Sequence, residues 1–278
     1  MRTGSGRFAL AVVVACVSHA AAARPPIIDV HLHAHTLADY GGGVPVCTSD
    51  EPIEFPGVDP RVPVTIEKVE LCAHPRSPAK TDDAVMRESL AALERFNIFA
   101  VTSGGLAEVT RWRELSPARV IPVGVHLGEG PPGGTHVGGY PTYRVALGSP
   151  LQLEPVLIKH PKLRIYVMHY GSPFIDEMIA LLYSHPQVFV DIAQNNWGFP
   201  RAHFYAQLKR LVDAGFGKRI LWGSDQMVWP ATIAVAIDTM EKAPFLSAAQ
   251  KRDIFYDNAA RFLRLGADER ARHSRGGH

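Results

Sequence analysis

The sequence predicts an α/β fold in which a parallel sheet is covered by helices. Three observations carry that reading. Short apolar, strand-like runs recur at 27–33, 98–103, 120–126, 164–169, 188–192 and 220–225. Segments with helical periodicity lie between and after them, at 82–96, 106–115, 151–159, 175–183, 202–214, 232–242 and 248–265. Such alternation builds parallel strands joined by crossover helices. The third observation is a weak repeat: His160-Pro161 and His185-Pro186 stand 25 residues apart, each just ahead of a strand-like run. Proline cannot continue a helix, so each pair closes one helix and opens the next strand.

Taken from the start, residues 1–23 form a three-part leader. Arg2 and Arg7 precede the apolar run 8–17, and Ala21-Ala22-Ala23 offers a small-residue cleavage site. This pattern predicts a signal peptide and an exported protein, periplasmic or secreted, and it is too short to span a bilayer. Val13-Val14-Ala15-Cys16 also fits a lipoprotein cleavage box, so anchoring through Cys16 stays open as the alternative. Without Arg2 and Arg7 the 29 basic residues fall to 27, equal to the 27 acidic ones. A neutral chain is not built for nucleic acid or an anionic membrane surface. Later segments never reach the roughly 20 consecutive apolar residues of a membrane span. Cys47 and Cys72 remain after the leader; export permits a disulfide, but sequence does not say whether they meet. Residues 24–265 then form the folded domain. The polar stretch 266–278 is expected to be a disordered tail.

The chemistry concentrates where strands end. In Ile27-Ile28-Asp29-Val30-His31-Leu32-His33, alternation puts Asp29, His31 and His33 on one face, and imidazoles two residues apart in a strand can share one ion. Val123-Gly124-Val125-His126, Tyr166-Val167-Met168-His169 and Trp222-Gly223-Ser224-Asp225 also finish apolar runs on metal-competent side chains. In a barrel of parallel strands these carboxyl ends meet at one rim. His160 and His185 precede their strands and belong at the opposite rim. His35 and His136 are near the site in sequence but are not assigned as ligands. Asp191 ends its strand as a supporting or substrate-facing carboxylate. Tyr140, Arg144, Tyr170 and Asn195 follow strands and are candidate contacts for a small-molecule substrate.

These residues resemble the amidohydrolase superfamily, in its amidohydrolase-related (amidohydrolase 2) branch of hydrolases and non-oxidative decarboxylases. The resemblance rests on the Asp-x-His-x-His strand, His126 before a glycine-rich loop, His169-Tyr170-Gly171, Gly223-Ser224-Asp225 and the ending Ile254-Phe255-Tyr256-Asp257-Asn258-Ala259-Ala260-Arg261-Phe262-Leu263. It implies a TIM-barrel-like fold and one divalent metal ion, zinc, held by His31, His33, His126 and Asp225. It also implies that Asp225 serves as general base and that His169 polarises the substrate or stabilises its developing charge. A metal ion would lower the pKa of its bound water to about 7. A full barrel has eight strands, whereas six are recognisable, with about two strand–helix units lacking ahead of His126. The barrel is therefore expected to be incomplete.

Three functions fit. The leading one is an exported metal-dependent hydrolase of an amide, ester or lactone. The others are a decarboxylase with the same ligands and a non-catalytic truncated relative. A homo-oligomer that completes the sheet is compatible with all three.

Overall fold

The computed structural model describes residues 24–33, 35–40, 43–59, 61–102, 122–130, 132–134 and 144–275. The leader with Cys16, the expected helix at 106–115, His136 and Tyr140 lie outside them. All six expected strands are present: β1 Ile27–Leu32, β2 Ile98–Thr102, β3 Val123–His126, β4 Ile165–Met168, β5 Val188–Asp191 and β6 Ile220–Leu221. β1 pairs in parallel with β2, and β3, β4, β5 and β6 form a parallel sheet in that order. Backbone bonds just past β6 join the two sheets. Val30 N donates to Trp222 O (3.2 Å), Asp225 N to His31 O (2.6 Å) and His33 N to Gln226 O (3.0 Å). The strand order is thus β2, β1, β6, β5, β4, β3. Among the described residues β2 and β3 do not pair. Among the described residues the barrel is open, in agreement with the strand count.

Local chemistry explains the helix ends. Thr81 caps Asp82–Phe96 by accepting from Ala84 N, and Asp82 and Asp83 sit at the positive end of its dipole. That helix stops at Asn97 in left-handed geometry, and β2 begins one residue later. Ser247 and Gln250 form a capping box on Ala248–Arg252. Both His-Pro pairs behave as the repeat implies: the helices Glu154–Lys159 and Ile175–Ser184 end directly before them.

Alternation along the strands separates the two faces of the sheet. Ile165, Val167, Val188, Val190, Ile220 and Trp222 pack into the main core against helix residues such as Met178, Leu181, Phe204 and Ile237. Tyr166 and Leu221 instead join Ile28 and Val30 in a second cluster, closed by Tyr256, Ala259, Ala260 and Phe262. No helix among the described residues is long and apolar enough to cross a membrane.

Two results go beyond the sequence reading. Cys47 and Cys72 are joined in a disulfide with Cα atoms 5.8 Å apart. The segment expected to be a disordered tail instead carries the helix Ala267–Ser274. The helix has no buried residue, so it offers no apolar stripe to read. It is held by other means: Glu269 accepts from Gly266 N (2.8 Å), His273 lies 3.0 Å from the Tyr256 hydroxyl, and its ring stacks on Phe99 at 3.8 Å.

Candidate metal centre

Parallel strands place their carboxyl ends together, and β1 is hydrogen-bonded directly to the segment after β6. That pairing brings His31 and His33 against Asp225. His31 Nε2 lies 3.0 Å from His33 Nε2 and 3.2 Å from Asp225 Oδ1, and His33 Nε2 lies 3.0 Å from the same oxygen. Atoms bonded to a common ion at about 2.0–2.2 Å stand roughly 2.9–3.4 Å from one another, which brackets all three separations. Two imidazole nitrogens and a carboxylate oxygen are also the donor types that zinc and related divalent ions take. The residues fit a metal ion.

The carboxylate of Asp191 sets the orientation of His31. Its Oδ2 accepts from His31 Nδ1–H at 2.9 Å, which leaves the Nε2 lone pair facing His33 and Asp225. Its Oδ1 accepts from the backbone N–H groups of His169 (2.8 Å) and Ala193 (3.1 Å). Asp191, His31 and His169 also lie close enough to suggest a second ion. Here both Asp191 oxygens are already engaged by N–H groups, and the Nδ1 atoms of His31 and His169 are engaged by Asp191 and by Ala193 O (2.9 Å). That trio is a hydrogen-bonded support.

Asp29, on the same face of β1, clamps the two segments that carry the candidate donors. It is fully buried and accepts from His31 N, Ser224 N and Ser224 Oγ. Gly223 is required between them, because a Cβ there would stand 2.8 Å from His31 Cβ. Three consecutive residues brace the loops from behind. Asn195 Nδ2 donates to His169 O (3.0 Å), Asn196 Nδ2 to Gly223 O (2.9 Å) and Trp197 Nε1 to Ser224 O (2.6 Å). The bracing holds unfavourable backbone, since His169, Tyr170 and Asp225 have φ of 56°, 43° and 50°. Each such residue costs of order 1–3 kcal/mol and persists only where its surroundings enforce it.

Electrostatics follow the geometry. Burial would lower the His31 imidazole, but the Asp191 and Asp225 carboxylates raise it to about 9. Burial would raise the Asp225 carboxyl, yet His31, His33 and His169 hold it below the usual range, so it stays ionised. Asp29 is pushed up to about 6 by burial, against the hydrogen bonds from Ser224 and His31. His126 is exposed as a whole residue, but partial desolvation and the adjacent His169 push its imidazole down to about 4.

The structure brings together His31, His33 and Asp225 of the sequence-predicted ligands. His126 stands at the end of β3, its ring 4.6 Å from that of His169 and outside the tight donor cluster. His169 lies between, 5.1 Å from His31. Because Ala193 O accepts from His169 Nδ1–H, its Nε2 is the site-competent nitrogen. Tyr170 is buried in the main core near Phe204, and Asn195 is buried with its amide spent on His169 O. Arg144 is exposed ahead of the short helix Val145–Gly148. The supporting roles of Asp29, Asn196 and Trp197 were not assigned from sequence. Their partners are backbone groups distant along the chain, which leave no spacing signal.

The chain matches the profile of the amidohydrolase family, Amidohydro_2, over residues 112–265, more than half its length. It belongs to this amidohydrolase family. The matched range contains His126, His169, Asp191 and Asp225, while His31 and His33 lie ahead of it. No curated protein matches the chain at a significant level. Among solved structures, this amidohydrolase is similar to a protein from Lactobacillus casei assigned as a metal-dependent hydrolase, at 20% identity and a TM-score of 0.38. That likeness covers 55% of this chain and 43% of the Lactobacillus one, so the chain spans less than half of that relative's length. A probable 2-pyrone-4,6-dicarboxylic acid hydrolase from Acinetobacter baumannii is 13% identical, with 86% and 99% covered and a TM-score of 0.46. A dihydroxybenzoic acid decarboxylase from Polaromonas, with manganese bound, is 16% identical, with 67% of each chain covered and a TM-score of 0.41.

Proposed function

We propose that this amidohydrolase is an exported, metal-dependent hydrolase of a small-molecule amide, ester or lactone. The observation that carries the reading is the convergence of His31 Nε2, His33 Nε2 and Asp225 Oδ1 within 3.0–3.2 Å of one another. These three residues would hold one divalent ion, zinc, with His126, at the end of β3 beside His169, as the fourth ligand. When bound, the ion supplies Lewis acidity and a water activated near neutral pH.

The protein's own groups supply the rest. The ionised Asp225 carboxylate accepts the proton of the attacking water as general base. His169, fixed by Ala193 O with its proton on Nδ1, presents Nε2 to the site, where it polarises the substrate or stabilises its developing charge. Asp191 holds His31 and the His169 backbone in one frame. The Cys47–Cys72 disulfide supports export to an oxidising compartment.

Metal analysis of the purified protein tests the centre, and close to one zinc per chain, lost in Asp225→Ala and reduced in His126→Ala, is the expected result. Unchanged metal in His126→Ala would remove that residue from the ligand set. Turnover of amide, ester and lactone panels in 18O-labelled water tests the reaction. Label in the product supports hydrolysis, whereas carbon dioxide release without label overturns it in favour of decarboxylation.

A further inference from the structure

We infer that His35 is a positioning residue for the metal centre: its ring, stacked flat on His33, holds that ligand in register with His31 and Asp225. The inference rests on the metal-centre reading above and assigns a role to a histidine outside the donor cluster. The backbones of His33 and Asp225 are both tethered between β1 and the segment after β6, His33 N to Gln226 O (3.0 Å) and Asp225 N to His31 O (2.6 Å), but the three side chains meet different surroundings. His31 is buried and locked by Asp191, and Asp225 is fixed by its backbone bond to His31 O and by the clamped loop. His33 follows the last residue of β1, and its side chain is 21% exposed at the rim. The His35 ring covers one of its faces, with centroids 4.7 Å apart and planes 23° from parallel.

His35 can hold His33 only if it is held itself, and the turn Leu37–Tyr40 does this. His35 Nδ1 lies 3.5 Å from Asp39 Oδ2, and that carboxylate accepts from Thr36 N (2.7 Å) and Thr36 Oγ1 (3.0 Å). Leu37 N donates to Asp82 Oδ1 (2.8 Å), tying the turn to the helix Asp82–Phe96. Tyr40 meets His35 edge-on at 5.4 Å and meets Trp229 in the same way at 5.4 Å. Trp229 Nε1 donates to Val44 O (2.9 Å), and its ring sits in a buried apolar cluster. A continuous series of rings therefore links a rim ligand to packed structure. Groups that orient a ligand from outside the coordination sphere typically change metal affinity by about 10–100-fold.

The test is Zn2+ affinity of the full chain, measured by competition with a chromophoric chelator. His35→Ala should weaken binding about 10-fold or more. His35→Phe keeps a flat ring and should stay within about threefold of the unmodified protein. Unchanged affinity in His35→Ala overturns the positioning role. Equal weakening in His35→Phe and His35→Ala also overturns it, because the nitrogens rather than the stacked face would then matter. Should His35→Ala fail to fold, His35→Leu replaces it under the same expectation, keeping side-chain volume without the planar ring. An unmodified chain that takes up no zinc instead overturns the metal-centre reading itself.

Discussion

Replacing Asp191 with asparagine changes one oxygen to an amide nitrogen, and the surroundings determine where that nitrogen goes. Oδ1 accepts from two backbone N–H groups at 2.8 and 3.1 Å, whereas Oδ2 accepts only from His31 Nδ1–H at 2.9 Å. Turning the amide towards the backbone pair would leave two buried donors facing a donor, so the remaining oxygen stays there. The amide N–H then confronts His31 Nδ1. The imidazole can satisfy it only by moving its own proton to Nε2, the nitrogen that faces His33 and Asp225. The substitution thus removes a ligand lone pair without removing a ligand. Loss of this support is expected to weaken metal binding about 10–100-fold, which is about 1.4–2.8 kcal/mol. Chelator competition gives the affinity, and 15N chemical shifts of the His31 ring report the tautomer. Equal zinc affinity in Asp191→Asn and the unmodified protein, with Nδ1 still protonated, would refute this account of Asp191.

Three further outcomes are expected. In Gly223→Ala the new methyl group would stand 2.8 Å from His31 Cβ and 3.0 Å from Ala193 Cβ; overpacking of this kind costs about 1–3 kcal/mol, so a thermal melt should fall and metal content should drop with it. Opening the Cys47–Cys72 bridge by a double serine substitution releases a loop of 25 residues, for which chain entropy predicts a loss of about 3.5 kcal/mol; denaturant titration reads it, and an unchanged midpoint would show that the loop contributes little. His31 is raised to about 9 in the metal-free protein, so its protonated form adds stability that is complete below about pH 6.5 and lost as pH rises through 9. A metal ion must displace that proton, and zinc affinity should therefore climb between about pH 7 and 9, by up to tenfold per unit.

Much of this arrangement is legible in the sequence because strand-end chemistry is local. Each of the six strands is an apolar run, and in an all-parallel sheet the residue closing each run lands at one rim. His31, His33, His169, Asp191 and Asp225 could be placed there without coordinates. Sequence also indicates that the barrel falls short of eight strands, since Val120-Ile121-Pro122 passes straight into Val123-Gly124-Val125-His126. What escapes are interactions with no periodic signature. The side chains of Asn195, Asn196 and Trp197 reach carbonyl groups 26 or 27 residues away, and any turn-forming sequence would look similar. Tyr170 follows a strand end like a substrate contact, yet its left-handed backbone at φ 43° turns the ring into the core. The helix Ala267–Ser274 has no buried residue and is held by polar and ring contacts such as those of His273 with Tyr256 and Phe99, so its polar sequence reads as tail.

The same three residues, Asn195 to Trp197, reach carbonyls beside the aspartate proposed as general base and at the histidine proposed to meet substrate, from a single short helical turn. Damage to that turn would loosen both loops together, leaving each to its remaining ties to Asp191 and Asp29. Because all four residues of the turn are buried and Trp197 packs in the main core, both loops should lose their bracing only as that core itself gives way on heating.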